Sequence, residues 1–226
     1  MSPNGQTREA RNPRTIAQER VDRPLAAFAR DYHPGEDTGW HHHARAQLLY
    51  AIRGVMRVTT SDAQFVVPPG RALWVPAAMP HVVRTEGPVA MRALFLRADA
   101  EGVGEARPAV LGVSPLLREL ILAACAEPLE WDEAGRGGHL AALILDELGR
   151  APRLPFGVPA LRDARLRRLA EAIAASPASG MTLEDWAQRC GASPRTLARL
   201  FRAETGMGFA RWRQTLRLTE AAALLA

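Results

Sequence analysis

The stretch Thr182-Leu-Glu-Asp-Trp-Ala-Gln-Arg-Cys-Gly-Ala-Ser-Pro-Arg-Thr-Leu-Ala-Arg-Leu-Phe201 settles how the last part of the chain folds. Thr182 with Asp185 three residues on is a helix start in which hydroxyl and carboxylate each satisfy an otherwise unpaired backbone N–H, with Asp in place of the usual Glu or Gln. Leu183, Trp186, Ala187 and Cys190 then share one face. Small Ala187 lets a second helix approach closely, Gly191 supplies a turn residue at which a positive φ costs little, and Ser193-Pro194 caps and opens that helix. Leu197, Leu200 and Phe201 point inward, which leaves Arg195, Arg199 and Arg202 outside with Thr196 beside them. Such a pair is a helix-turn-helix, and donors in the N-terminal half of its second helix are where base edges in a DNA major groove are met. An Arg fork suits guanine O6 and N7, whereas Arg toward the helix end meets phosphate. Ser193, Arg195, Thr196, Arg199 and Arg202 are therefore the candidate DNA-binding residues. The alternative is a solvated Arg-rich face that binds nothing.

The charge distribution points the same way. The 226 residues carry a formal net charge of +5, and all 29 basic residues are Arg, a bias that reflects genome composition before function. Residues 1–158 hold 18 Arg against 18 acidic residues, while residues 159–226 hold 11 Arg against 6. The whole excess thus lies in the C-terminal part, as expected for a neutral module followed by one that binds a polyanion. A hydrophobic content of 47% excludes a disordered chain, and the length suits two modest domains. Cys125 and Cys190 lack metal-type spacing, which excludes a disulfide scaffold or zinc ribbon and suits a reducing cytoplasm. No segment approaches the roughly 18 consecutive apolar residues of a membrane span, and Met1 to Arg20 lacks the apolar core of a signal peptide.

Ser193-Pro-Arg195-Thr-Leu197-Ala-Arg199-Leu-Phe201, Glu204-Thr-Gly206, Phe209, Trp212-Arg213, Leu216-Arg217-Leu218 and Ala222 before Leu224-Leu225 resemble the AraC/XylS family of bacterial transcription regulators over about 160–226. The resemblance implies two helix-turn-helix units joined by a central helix, which Phe209 to Leu225 would supply. The chain ends inside that helix, so a truncated domain lacking its second helix-turn-helix is expected.

Upstream, residues 1–22 are polar and breaker-rich and read as a flexible arm. Residues 23–100 carry short apolar runs (Ala46–Ile52, Val55–Thr59, Phe65–Val67, Ala72–Val75, His81–Arg84 and Val89–Leu96) separated by Gly and Pro, the pattern of an antiparallel sandwich or barrel. Residues 105–151 read as a helical segment for dimerisation or relay. One helix opens at Ser114-Pro115, and a second spans about Gly138 to Gly149 with leucines on more than one face. Residues 152–159, rich in Pro and Gly, read as a linker, and 160–226 as the DNA-binding domain.

Between Gly39 and Gly54 the pattern is H-x-H-x3-Q-x6-G, with His41, His43 and Gln47 on one side by strand parity and His42 on the other. Gly70-x5-Pro76-x4-His81 follows. These stretches resemble the paired motifs of cupin β-barrels, with Gln47 where that family has Glu and Ala78 where it commonly has Gly. The resemblance implies an α+β chain with an N-terminal cupin (double-stranded β-helix) barrel, linking helices and a C-terminal all-α helix-turn-helix domain. It also implies that His41, His43, Gln47 and His81 hold one divalent transition metal (Zn, Ni, Fe or Mn), though a neutral amide in place of a carboxylate weakens the site. The alternative is a vestigial site hydrogen-bonded within a pocket. Tyr50, Trp74, Phe95 and Met56 fall on strands, and Tyr50, Trp74, Arg92 and Phe95 are candidate effector contacts, the other reading being core packing for the aromatic residues and a place outside the barrel for Arg92. The expected function is sequence-specific transcription regulation with a cupin domain sensing a small molecule or metal, without enzymatic activity. A metal-dependent cupin dioxygenase or isomerase is the alternative. Expected partners are double-stranded DNA, a small-molecule effector, a second copy of the chain and RNA polymerase, and no membrane.

Overall fold

The computed structural model describes residues 10–11, 13–100, 106–154 and 157–224. In chain order its strands are β1 (Ala10–Arg11), β2 (Leu25–Tyr32), β3 (His41–His42), β4 (Ala46–Arg53), β5 (Met56–Thr60), β6 (Ala63–Val67), β7 (Arg71–Val75), β8 (His81–Thr85), β9 (Val89–Leu96), β10 (Ala109–Gly112), β11 (Arg153–Leu154) and β12 (Gly157–Pro159). Its helices are α1 (Ile16–Arg20), α2 (Pro115–Ala126), α3 (Arg136–Arg150), α4 (Ala164–Ala175), α5 (Leu183–Arg189), α6 (Pro194–Thr205) and α7 (Phe209–Leu224). The strands form two six-stranded sheets, ordered β1-β3-β8-β5-β6-β12 and β11-β10-β7-β4-β9-β2.

Alternation builds the core between the sheets. Strand β5 buries Met56, Val58 and Thr60 and half-exposes Arg57 and Thr59, so one face of its sheet is interior. Strand β4 is buried at six consecutive positions, because its sheet is covered on both faces. Leu49, Ala51, Leu73, Val75, Ala93 and Phe95 face the barrel interior. Leu48, Tyr50, Ala72, Trp74, Leu94 and Leu96 pack under α2 and α3 against Leu117, Leu120, Ile121, Ile144 and Leu148. Gly54 turns β4 into β5 at φ +80°, and a Cβ there would lie 2.2 Å from the Pro88 carbonyl oxygen.

Two boundaries differ from the sequence reading. Residues 1–9 and 12 of the expected arm lie outside the described residues, but 13–22 are not an arm. They form a 3-10 turn and α1, and Glu19 is buried. A short polar stretch reads as mobile because its buried contacts, here with His43 and Arg45, lie far along the chain. Of the expected linker 152–159, residues 155–156 lie outside the described residues, and the strands on either side of them are paired rather than free. β11 pairs with β10 and β12 with β6, so the segment adds an edge strand to each sheet. Edge positions tolerate Pro152 and Pro159 because an outer strand can spare a donor. Strand β10 also lies within the stretch expected to be helical, and pairs with β7.

Helices α4 to α7 close over a separate core of Leu166, Leu169, Ile173, Trp186, Ala187, Leu197, Phe201, Phe209, Trp212 and Leu216. Phe201 sits 5.3 Å from the Phe209 ring and 5.2 Å from Trp212. The caps are those expected: Thr182 and Asp185 form a reciprocal capping box, and Ser193 accepts from Thr196 N–H. Gly191 turns between α5 and α6 at φ +62°. This unit rests on the first sheet, where Val158 of β12 joins its core and Arg57 of β5 makes a two-pronged bond to Glu220 of α7 at 2.9 and 2.7 Å.

Candidate metal centre and DNA-reading face

His41 ends the turn after Gly39 and pairs in register with His81 across β3 and β8. The strand stops at His42, so His43 lies in the connection to β4, where Gln47 stands. The parity argument holds across that break. His41, His43, Gln47 and His81 are all buried, and one ring nitrogen from each histidine lies within 4.8 Å of the other two. His42 is not part of the cluster.

The hydrogen bonds set the tautomers. His41 Nδ1 lies 2.8 Å from the Gly39 carbonyl, His81 Nδ1 3.0 Å from the Met79 carbonyl, and His43 Nδ1 2.9 Å from Glu19 Oε1. Those oxygens only accept, so each Nδ1 carries the proton and each Nε2 keeps its lone pair. His43 Nε2 is buried without a hydrogen-bond partner. His81 Nε2 and Gln47 Oε1, 3.1 Å apart, are then both acceptors, an arrangement that either a turned amide or a cation beside them satisfies. Burial, reinforced by His41, pushes His81 down to about 3, and burial lowers His41 and His43 as well, with Glu19 opposing it at His43. At neutral pH the three rings are neutral, with lone pairs able to serve as ligands. The donor set thus fits a divalent transition metal.

The space is small. The cavity beside Thr15, Tyr32, His41 and Gln47 measures about 10 Å³, the size of one water rather than of an organic molecule. The expected effector contacts do not line it together. Phe95 faces inward, its ring 4.9 Å from His43, but Tyr50 and Trp74 face α2 and α3. Arg92 pairs with Asp31 of the neighbouring β2 at 3.1 Å. The reason is the sheet covered on both faces, where an apolar run does not reveal which alternate face is the interior. A larger cavity of about 250 Å³ lies between the barrel and the helical unit, lined by Arg57, Gln64, Val158, Arg167, Trp212, Leu216 and Glu220 among others.

On the helical unit, Arg195, Arg199 and Arg202 are exposed on α6, and none forms a salt bridge among the described residues. Ser193 and Thr196 hydroxyls lie 2.9 Å apart and are engaged with each other at the cap. Sequence reasoning missed Glu19, since a lone carboxylate in a polar stretch carries no periodic signal. It also missed the Arg57–Glu220 pair, whose members stand 163 positions apart.

A barrel enclosing a histidine cluster, joined to a helix-turn-helix with an arginine face, defines a DNA-binding regulator with a cupin domain. Residues 29–97 match the cupin domain family and residues 186–226 a helix-turn-helix domain family. The HTH-type transcriptional regulator NimR of Escherichia coli is 31% identical over 196 residues, covering 85% of this chain and 71% of that protein. The chain belongs to the AraC-type family of HTH-type transcriptional regulators. The HTH-type transcriptional regulator RipA of Corynebacterium diphtheriae is 38% identical over 91 residues, 40% of this chain and 25% of its own length. Among solved structures, a cupin superfamily protein from Desulfitobacterium hafniense is 22% identical at a TM-score of 0.32, covering 34% of this chain and 70% of that one. No helix among the described residues is long and apolar enough to cross a membrane.

Proposed function

We propose that the regulator reads DNA with α6, through Arg195, Arg199 and Arg202, and that its barrel responds to a divalent metal held by His41, His43 and His81 with Gln47. The observation that carries the DNA assignment is the exposed arginine row on a helix whose opposite face, Leu197 and Phe201, is fully buried. Ser193 and Thr196 keep the cap and present the helix N-terminus to phosphate. The units proposed are a barrel of residues 23–112 completed by 153–159, a helical hairpin of α2 and α3, and a reader from 160 onward. A second copy of the chain would meet that hairpin, where Leu116 and Leu143 remain exposed. RNA polymerase contact and a cytoplasmic location go with the regulator role.

A bound metal would supply a fixed positive charge with a free coordination position, and Zn, Ni, Fe and Mn all suit three imidazoles and an amide oxygen. Cavity size favours an ion over an organic molecule inside the barrel, so a small-molecule effector would occupy the cleft between barrel and reader. The same size argues against the enzyme reading, as does the engagement of both oxygens of Glu19, the carboxylate that reaches the histidine cluster among the described residues.

The test selects DNA from a random library with this chain and compares the double variant Arg195→Ala, Arg199→Ala on the selected sequence by fluorescence anisotropy. Each side chain that reads a base is worth ~1–3 kcal/mol, and removing an arginine that binds phosphate should flatten the salt dependence by about one unit. Undiminished binding by the double variant rejects the assignment.

A further inference from the structure

Two side chains of the N-terminal segment, Glu19 and Thr15, reach the histidine cluster at His43, and Glu19 makes the shorter contact. Glu19 and His43 side chains are each 1% exposed. Glu19 Oε1 accepts from His43 Nδ1, and Oε2 accepts from the Ala44 backbone N–H at 2.9 Å, so neither oxygen is turned toward the other two histidines as a ligand. Thr15 Oγ1 lies 3.4 Å from the same Nδ1. Arg45, itself buried, fastens the segment to the start of β4 by donating to the carbonyls of Glu19 (3.0 Å), Val21 and Arg23 (2.8 Å).

The three histidines are backed unequally. His41 and His81 each lean on a neutral carbonyl two residues away, a local arrangement. His43 leans on a carboxylate from 24 residues upstream. A carboxylate behind an imidazole fixes the ring and makes the far nitrogen a stronger donor to a metal than a carbonyl does. Three imidazoles and the Gln47 amide also bring no negative charge of their own, so Glu19 places that charge one hydrogen bond outside the ligand set.

We infer that Glu19 is the positioning residue for a divalent metal at His41, His43 and His81, and that metal binding and the seating of residues 13–21 against the barrel are coupled through the Glu19–His43 bond. This rests on the metal reading above. The coupling is reciprocal: a bound ion holds the segment down, and a seated segment tightens the ion.

The experiment titrates Co²⁺ into the full chain, following visible absorption and calorimetric heat. The wild type binds one Co²⁺. Glu19→Gln keeps one acceptor for His43 but removes the charge, and weakens binding by ~10–100-fold, while His42→Gln, a neighbour outside the cluster, leaves it unchanged. A second measurement needs no variant: saturating Co²⁺ slows trypsin cleavage after the exposed Arg14 and Arg20 by about tenfold or more. Unaltered Co²⁺ affinity in Glu19→Gln, or cleavage indifferent to Co²⁺, overturns the coupling and leaves the metal reading standing. Failure of the wild type to bind Co²⁺ overturns both.

Discussion

The barrel and the helical unit organise functional groups in opposite ways. In the barrel the histidines are buried, stripped of water and neutral, and they come from β3, the β3–β4 connection and β8, with Glu19 from α1 behind them. In the helical unit the arginines are exposed, charged and drawn from one helix of twelve residues. Each placement suits the partner proposed for it. A small cation must be enclosed by lone pairs that water no longer occupies, which requires burial and convergence. A DNA duplex is too large to enclose and is met by a convex row of side chains on a rigid helix.

The first way to break this contrast is to empty the core beneath the arginine row. Phe201 is fully buried against Phe209 and Trp212, and Phe201→Ala should cost about 3–5 kcal/mol. Hydrogen exchange should place that loss in α4 to α7 and spare β4 and β9. An equal loss across the barrel strands would mean that the two regions unfold as one unit.

A smaller effect tests the contact between them. Arg57 joins Glu220 of α7 and Glu86 of the barrel, and its side chain is 32% exposed. Arg57→Ala leaves the Glu220 carboxylate largely buried without its partner. It should raise amide exchange in α7 about fivefold, equivalent to ~1 kcal/mol, with little change in β9. Unchanged exchange would show that apolar contact around Val158 alone seats the helix.

The smallest effect lies in the barrel. Ala78 has φ +59°, a left-handed conformation that a Cβ disfavours, and its N–H donates to the His43 carbonyl at 2.8 Å. Ala78→Gly removes the strain but gives back chain entropy, so a net gain of ~0.5 kcal/mol is expected in a thermal melt. A loss would mean that the Ala78 methyl packs more favourably than the turn is strained.

The sequence was most legible where contacts are local. In 182–206 the caps, the Gly191 turn, the inward Leu197 and Phe201 and the outward arginines are relations among residues a few positions apart, and all stand in the structure as read. His41, His43 and Gln47 were also legible by strand parity, and His81 through the resemblance to cupin motifs, and the structure brings all four together in the interior. The sidedness of Tyr50 and Trp74 was not, because both faces of β4 and β7 are buried and alternation alone is symmetric between them.

Composition, periodicity and spacing were therefore enough to separate a neutral barrel from a basic helical reader and to name the arginine set, while the histidine set came from the resemblance to cupin motifs. The packed chain alone revealed that residues 13–22 close onto the histidines, that Arg153–Leu154 and Gly157–Pro159 each add a strand to a sheet, and that Arg57 meets Glu220. Each of these is a pairing between groups tens of positions or more apart, whose strength comes from burial in common surroundings, and no local pattern records which distant partner a side chain will be buried beside.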